Sequence, residues 1–423
     1  MLPRRHHELP PTAGLPLRFG DLLPGKLPSH DRIPASTGKA RQAAGTAALA
    51  AQVAAQLGTP PLQLECSGTA SLLIALTALH EMQPLRRQVV IPAFTCPLVA
   101  IAVRQAGLEV RLCDLRAGHF DMDPAALQAA CNEHTLAIVP THLGGRVANV
   151  DSALSVARAV GAYVIEDAAQ ALGARQAGRS VGLLGDIGFF SLAAGKGLSI
   201  YEGGLLLARE PLLRDRLART AARIVPRSLG RECRRSLELL GYAALYRPRG
   251  LRLAYGNPLR RALRRGDPVG AVGDDFPLTV PLHRVGRWRQ AVGAHAAARL
   301  PAFLDRITAQ AQRRLPRLRR IDGIAVLDDP PDAQGSWPFL LLLLPDQQRR
   351  DAALAQLWQA GLGVSRLYIH ALPDYAYLAG VVPPQHVPNA RDFAARSLTI
   401  GNSPWVTDED FEAICGVLEA VLR

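Results

Sequence analysis

The sequence predicts an α/β protein: a mostly parallel sheet sandwiched by helices, followed by a smaller C-terminal α/β unit. Three observations carry this. Short apolar runs such as QVVIPAF (88–94), LEVRLCDL (108–115), TLAIVPTHLGG (135–145) and AYVIEDAAQ (162–170) alternate with segments of helical apolar spacing. Strands separated by helices of that length form βαβ units, whose crossovers cover both faces of a sheet. After about residue 286 the alternation resumes on a smaller scale, with WPFLLLLLP (337–345) and then RRDAALAQLWQAG (349–361).

In chain order, residues 1–45 are rich in Pro, Gly and Arg and read as an N-terminal arm. A large domain is expected over 46–285. It begins with a helix at AAGTAALAAQVAAQLG (43–58), a strand at LQLEC (62–66) and a helix from SGTASLLIALTALHEM (67–82). Helices are also expected at TCPLVAIAVRQAG (95–107), DPAALQAACNE (123–133) and DSALSVARAVG (151–161). DIGFFSL (186–192) and GGLLLARE (203–210) read as two further strands. From about 211 to 282 the chain is dense in arginine with interleaved Leu and Tyr, an insertion best read as solvated helices. The competing reading is a basic amphipathic element that touches a membrane surface or a partner through residues 231–265. Residues 286–423 make the small domain, with strands at IAVLDD, GVSRLYIH and SLTIGNS. Thr407 is the expected N-cap of its closing helix TDEDFEAICGVLEAVL.

Bulk properties exclude several classes. The formal charge is +13, which suits anionic partners, but only 5% of residues are aromatic and no RNP-like or zinc-finger spacing occurs, so nucleic acid is not expected. Six cysteines are scattered without a CxxC pair, which argues against a zinc site or a disulfide framework. The first residues carry charge and proline where a signal peptide needs an apolar run, and the apolar runs are too short to span a bilayer. A cytoplasmic protein without a metal is the expectation; the pair His6–His7 is read as part of the leader.

In an open parallel sheet, ligands bind beyond the carboxyl ends of the strands. After LQLEC comes Ser67-Gly68-Thr69, opening a helix whose free N–H groups and dipole suit an anion; an ordinary N-cap is the plainer reading. After AYVIE comes Asp167, with Gln170 three residues on; a structural ion pair is the plainer reading there. After DIGFF comes Ser191, and then Lys196 in a glycine-bounded loop, AAGKG. Of the 49 Lys and Arg residues only Lys26, Lys39 and Lys196 are lysine, so a lysine here is not background. A desolvated amine can lose its proton and act as a nucleophile, whereas a guanidinium stays charged. An anion-binding helix start, a carboxylate, a hydroxyl and a nucleophilic lysine together fit pyridoxal 5′-phosphate (PLP). Its phosphate needs donors, its aldehyde an amine and its ring nitrogen a carboxylate.

These residues, with IVPTHLGGRVANVDSALSVARAVGAYVIEDAAQALGA (138–174) and VGLLGDIGFFSLAAGKGLSIYEGGLLL (181–207), resemble the DegT/DnrJ/StrS-type aminotransferases. The likeness also covers SGTASLLIAL, VVIPAFTCPLVAIAVRQAGLEVRLCDL, GVSRLYIHALPDYAY and SLTIGNSPWVTDEDFEAI. It implies a PLP-dependent transferase of fold type I with a seven-stranded-type sheet, acting as a homodimer with its sites at the subunit interface. It implies that Lys196 holds PLP as the internal aldimine and moves the proton, that Asp167 pairs with the ring nitrogen, and that Gln170 lies against the ring or its 3-oxygen. Gly68, Thr69 and Ser191 would hold the phosphate, and Cys96 takes the position where many relatives stack an aromatic ring. An asparagine expected near 280–290 is missing from VPLHRVGRWRQAVGAH, leaving His283 or Arg284 as substitutes. The implied reaction moves an amino group from an amino acid, glutamate first, to a keto-sugar, an anionic nucleotide-linked one first. The rival readings are a PLP-dependent dehydratase or lyase, and a non-catalytic protein of this fold that binds a partner or membrane through its basic insertion.

Overall fold

The structure, a computed structural model, describes residues 7–23 and 49–423. Most of the predicted arm, together with Lys26, Lys39 and His6, lies outside the described residues.

Chain order gives β1 (Gln63–Glu65), β2 (Gln88–Pro92), β3 (Glu109–Cys113), β4 (Thr135–Ile138) and β5 (Tyr163–Asp167). A short hairpin of β6 (Arg175–Gln176) and β7 (Arg179–Ser180) follows, then β8 (Ile187–Ser191) and β9 (Gly204–Ala208). A seven-stranded sheet runs in the order β1-β9-β8-β5-β4-β2-β3. Strands β3, β2, β4, β5 and β8 pair in parallel, while β9 runs antiparallel to both β8 and β1. The expected mostly parallel sheet is therefore present, with its antiparallel pairs at the end that carries Lys196.

Period-two alternation explains how two helical layers cover this sheet. In β8, Phe189 packs into the core on one face and Phe190 into the core on the other. In β9, Leu206 joins the first core while Leu205 and Leu207 join the second. Helix Gly68–Met82 seals the first face with Leu72, Leu73, Leu76 and Leu79. Removing any one of these fully buried leucines should cost about 2–5 kcal/mol, transfer and cavity terms together.

The C-terminal part adds β10 (Ala325–Val326), β11 (Ala333–Gln334), β12 (Phe339–Leu343), β13 (Val364–Ser365) and β14 (Ser397–Gly401). Four of these form a second sheet, β10-β12-β14-β13, and β11 joins the β6–β7 hairpin. The uninterrupted FLLLL of β12 has a plain cause: Phe339, Leu341 and Leu343 face the main core, and Leu340 and Leu342 face the C-terminal helices. Thr407 caps the last helix through a capping box with Asp410, as its sequence predicts. The predicted strand GVSRLYIH is shorter than expected, since only Val364 and Ser365 pair.

The arginine-rich insertion is helical, with Leu229–Leu245 its longest element, followed by Pro248–Leu251, a π-helical turn at Arg252–Gly256, Asn257–Arg264 and Pro268–Val272. It is not simply a solvated excursion. Leu239, Tyr242, Tyr246 and Leu251 are buried in the second core. Beneath them runs the described part of the arm. Its backbone bonds the chain at Pro248, Gly361, Pro338 and Gly197.

Candidate active site

The carboxyl ends of β1, β2, β5 and β8 open on one cavity of about 400 Å³. All seven residues singled out from the sequence line it: Gly68, Thr69, Cys96, Asp167, Gln170, Ser191 and Lys196. Four strand ends, distant in sequence, are needed to assemble that set.

Ser67 caps helix Gly68–Met82 by accepting the Ala70 N–H at 3.0 Å. The N–H groups of Gly68 and Thr69 belong to the first turn and have no partner within the helix. A Cβ on Gly68 would stand 3.3 Å from the Cβ of Ser191, so glycine lets the end of β8 close against the helix start. Gly204 has the same duty from the other side, since a Cβ there would collide with the Ser67 carbonyl. The result is a cradle of amide donors and one hydroxyl at the positive end of a helix dipole, suited to a phosphate.

Asp167 and its neighbour Glu166 point to opposite faces of β5, as strand geometry requires. Glu166 is wholly structural: it accepts from the Gly182 and Gly185 N–H groups at 2.7 Å each and bonds His142 Nε2 at 2.9 Å. Asp167 is the one aimed at the cavity. It is 4% exposed, and its Oδ1 accepts the Ala169 N–H at 3.0 Å. Burial pushes its carboxyl above the usual range, against the pull of that N–H and of Lys196 and His142. Lys196, half-buried in the loop after β8, is displaced the other way. Desolvation lowers its amine below the ordinary lysine value, opposed by the nearby Asp167 carboxylate. An acid raised and an amine lowered across one cavity is the pattern of a tuned reactive pair.

Gln170 is fixed at both ends of its amide: Oε1 accepts the Gly144 N–H at 2.8 Å, and Nε2 donates to the Tyr368 hydroxyl at 3.1 Å. Cys96 is the N-cap residue of helix Pro97–Gln105, and burial pushes its thiol up to about 12, so it presents an uncharged sulfur to the cavity. Tyr368, Arg235 and Glu202 are among the lining residues that the sequence did not single out. Tyr368 comes from the C-terminal part and packs edge-on against Phe94. Arg235 comes from the insertion and forms ion pairs with Glu202 and Glu238. Glu202 follows Tyr201, whose φ of +69° turns the chain sharply after the lysine loop. His283 and Arg284 do not reach this chain's own cavity. His283 is buried against Arg289, and Arg284 donates to the carbonyls of Val225 and Ala222.

The family model for the DegT/DnrJ/EryC1/StrS aminotransferases matches residues 35–242 and 284–419, most of the chain. The chain belongs to this aminotransferase family. The match runs through residues 211–242 and leaves 243–283 outside it. Among curated relatives, Protein MosB of Rhizobium meliloti is 39% identical over 151 residues, 36% of this chain and 29% of that protein. The chain thus spans under a third of that relative's length. The dTDP-3-amino-3,4,6-trideoxy-alpha-D-glucose transaminase of Streptomyces venezuelae is 26% identical over 75% of this chain and 72% of its own. Among solved structures, the PLP-form of the putative sugar aminotransferase Spr1654 from Streptococcus pneumoniae superposes with a TM-score of 0.69 at 19% identity. It covers 98% of this chain and 100% of that one. Family, fold and donor set agree on PLP as the cofactor. The cradle suits its phosphate, Asp167 its ring nitrogen and Lys196 its aldehyde. No group of three or more metal-binding side chains occurs among the described residues, and no helix among them is long and apolar enough to cross a membrane.

Proposed function

We propose that this chain is an aminotransferase that takes an amino group from glutamate and delivers it to the keto group of a nucleotide-linked sugar. It would work in the cytoplasm as a homodimer. The observation that carries the reading is the pairing of a desolvated lysine amine with a buried carboxylate across one cavity. The named activity of the Streptomyces venezuelae transaminase supports a sugar nucleotide as acceptor.

Bound in this cavity, PLP supplies a ring that takes up the electron pair left when a proton leaves the substrate carbon. The chain's own residues do the rest. Asp167 keeps a proton at the ring nitrogen, a role for which a carboxylate held away from water is suited. Lys196 Nζ, whose amine burial lowers below the ordinary lysine value, would hold the cofactor's aldehyde and would move a proton at the substrate carbon. The Gly68 and Thr69 N–H groups and the Ser191 hydroxyl hold the phosphate. Gln170, with both amide ends engaged, offers a flat face to the ring. Arg235, at the cavity wall, would meet the anionic part of the acceptor.

The test is chemical. Borohydride reduction of the holoprotein followed by peptide mapping should place the cofactor on Lys196, and glutamate should shift the absorbance of the unreduced protein. Covalent PLP in Lys196→Arg would overturn the assignment of the lysine. A spectrum indifferent to glutamate would overturn the donor, and failure of every nucleotide-linked keto-sugar to reverse the shift would overturn the acceptor.

A further inference from the structure

A second cavity, also of about 400 Å³, lies away from the Lys196 site and shares none of its lining residues. Three segments meet there: the arm at His7 and Glu8, the end of helix Gln347–Ala360, and the insertion between Arg252 and Arg264. Its charged wall is one-sided. Among the described residues that line it, Arg252, Arg260, Arg261 and Arg264 stand against one carboxylate, that of Glu8.

That carboxylate is already engaged, since Arg260 Nη2 donates to Glu8 Oε2 at 2.8 Å and Arg260 Nη1 to the Trp358 carbonyl at 3.1 Å. Arg264 is steadied through Nε, which donates to the Arg260 carbonyl at 3.2 Å, and among the described residues its terminal nitrogens have no partner. Among the described residues no acid pairs with Arg261 or Arg264. Like charges gathered in a concavity raise the local potential and draw an anion in. Guanidinium groups make charge-assisted hydrogen bonds to phosphate oxygens, two at a time where geometry allows. Every one of these arginines also lies in residues 243–283, the part of the chain that the family pattern does not cover.

We propose that this arginine pocket is a binding site for a phosphate-bearing anion, separate from the cofactor cavity. The phosphate could belong to a soluble ester or to a lipid headgroup, and Leu253, 66% exposed on the turn beside Arg252, would be the apolar contact in the second case.

The experiment uses the full chain saturated with PLP, so that the cofactor's own phosphate site is filled. Inorganic pyrophosphate is titrated by calorimetry against the wild type, Arg261→Ala/Arg264→Ala and Arg261→Lys/Arg264→Lys. In parallel, the three proteins are co-sedimented with phosphatidylcholine vesicles with and without phosphatidylglycerol. The alanine pair should weaken binding about tenfold or more, roughly the loss of one good charge-assisted contact. The lysine pair, which keeps both charges, should stay within a few-fold of wild type, so a loss seen only in the alanine pair is not a folding defect. Pyrophosphate binding without vesicle binding assigns a soluble ester, and vesicle binding that needs phosphatidylglycerol assigns a headgroup. Absence of binding to both probes, or equal binding by wild type and the alanine pair, overturns the proposal.

Discussion

The Thr12 hydroxyl donates to the carbonyl of Gly195 at 2.7 Å, so a residue of the N-terminal arm grips the chain one position before Lys196. The grip is part of a seam. Gly195 N–H donates to the Tyr242 hydroxyl at 3.4 Å, and Leu15 N–H donates to the Gly197 carbonyl at 3.2 Å. The lysine loop is thereby bonded on both sides of Lys196 by segments that are not part of the sheet. A reactive side chain held by several neighbours keeps its geometry better than one on a free loop.

Thr12→Val keeps the shape and deletes the donor. A side chain to backbone hydrogen bond of this kind contributes about 0.5–1.5 kcal/mol. The variant should therefore release PLP several-fold faster than wild type while melting within a few degrees of it. Stopped-flow or dialysis kinetics of cofactor loss, followed by absorbance, checks this. Unchanged release would show that the arm does not steady the loop.

The seam also explains what the sequence could and could not reveal. The strand–helix alternation, Ser67-Gly68-Thr69, Asp167 and Lys196 are all local patterns, because strand ends and helix starts announce themselves within a few residues. Tyr368 and Arg235 reach the same cavity from other parts of the chain, and nothing near them marks the destination. Glu166 and Asp167 look alike in sequence; the choice between them rests on which face of β5 each occupies, a matter of register. The arginine density at 211–282 drew attention to solvent, yet the buried tyrosines of the insertion hold the arm in place. Composition reported the charge and concealed the packing.

Tyr246→Phe tests that packing. Its hydroxyl accepts the Gly14 N–H and donates to the Thr12 carbonyl, both at 3.1 Å, within the core. Phenylalanine fills the same space but leaves a buried N–H without its acceptor, at a cost of about 1–3 kcal/mol. The expected outcome is a lower melting temperature together with faster proteolysis of the arm. An unaltered melting curve would mean that the insertion merely lies against the arm.

Asp167→Asn separates two consequences of one carboxylate. An amide cannot hold a proton on a ring nitrogen, so kcat should fall by about 10²–10³, the scale seen when one preorganised electrostatic partner is removed. The second consequence concerns Lys196. Burial lowers its amine below the ordinary value and the Asp167 charge partly restores it. Removing that charge should lower it further, so the pH profile for PLP capture by the apoprotein should move to lower pH in Asp167→Asn. A profile that stays in place would show that the two groups are not coupled.

Glu65 gives a prediction with a worked sign. It ends β1, 5% exposed, and burial raises its carboxyl to about 7, opposed by a hydrogen bond from Gln63 and by Arg284. In the unfolded chain it titrates near the ordinary glutamate value of 4.5. Between those two values the folded protein holds a proton that the unfolded chain has lost, so stability falls as pH rises from about 4.5 to about 7 and is level in this respect above that. Glu65→Gln removes the titration while keeping a polar side chain of similar shape. It should narrow the stability difference between pH 4.5 and pH 8 by about 1–3 kcal/mol, with the gain over wild type confined to the upper end of the range. Urea denaturation of both proteins across that range measures it. A variant that gains equally at pH 4.5 would show that packing of the side chain, and not its charge, sets the difference.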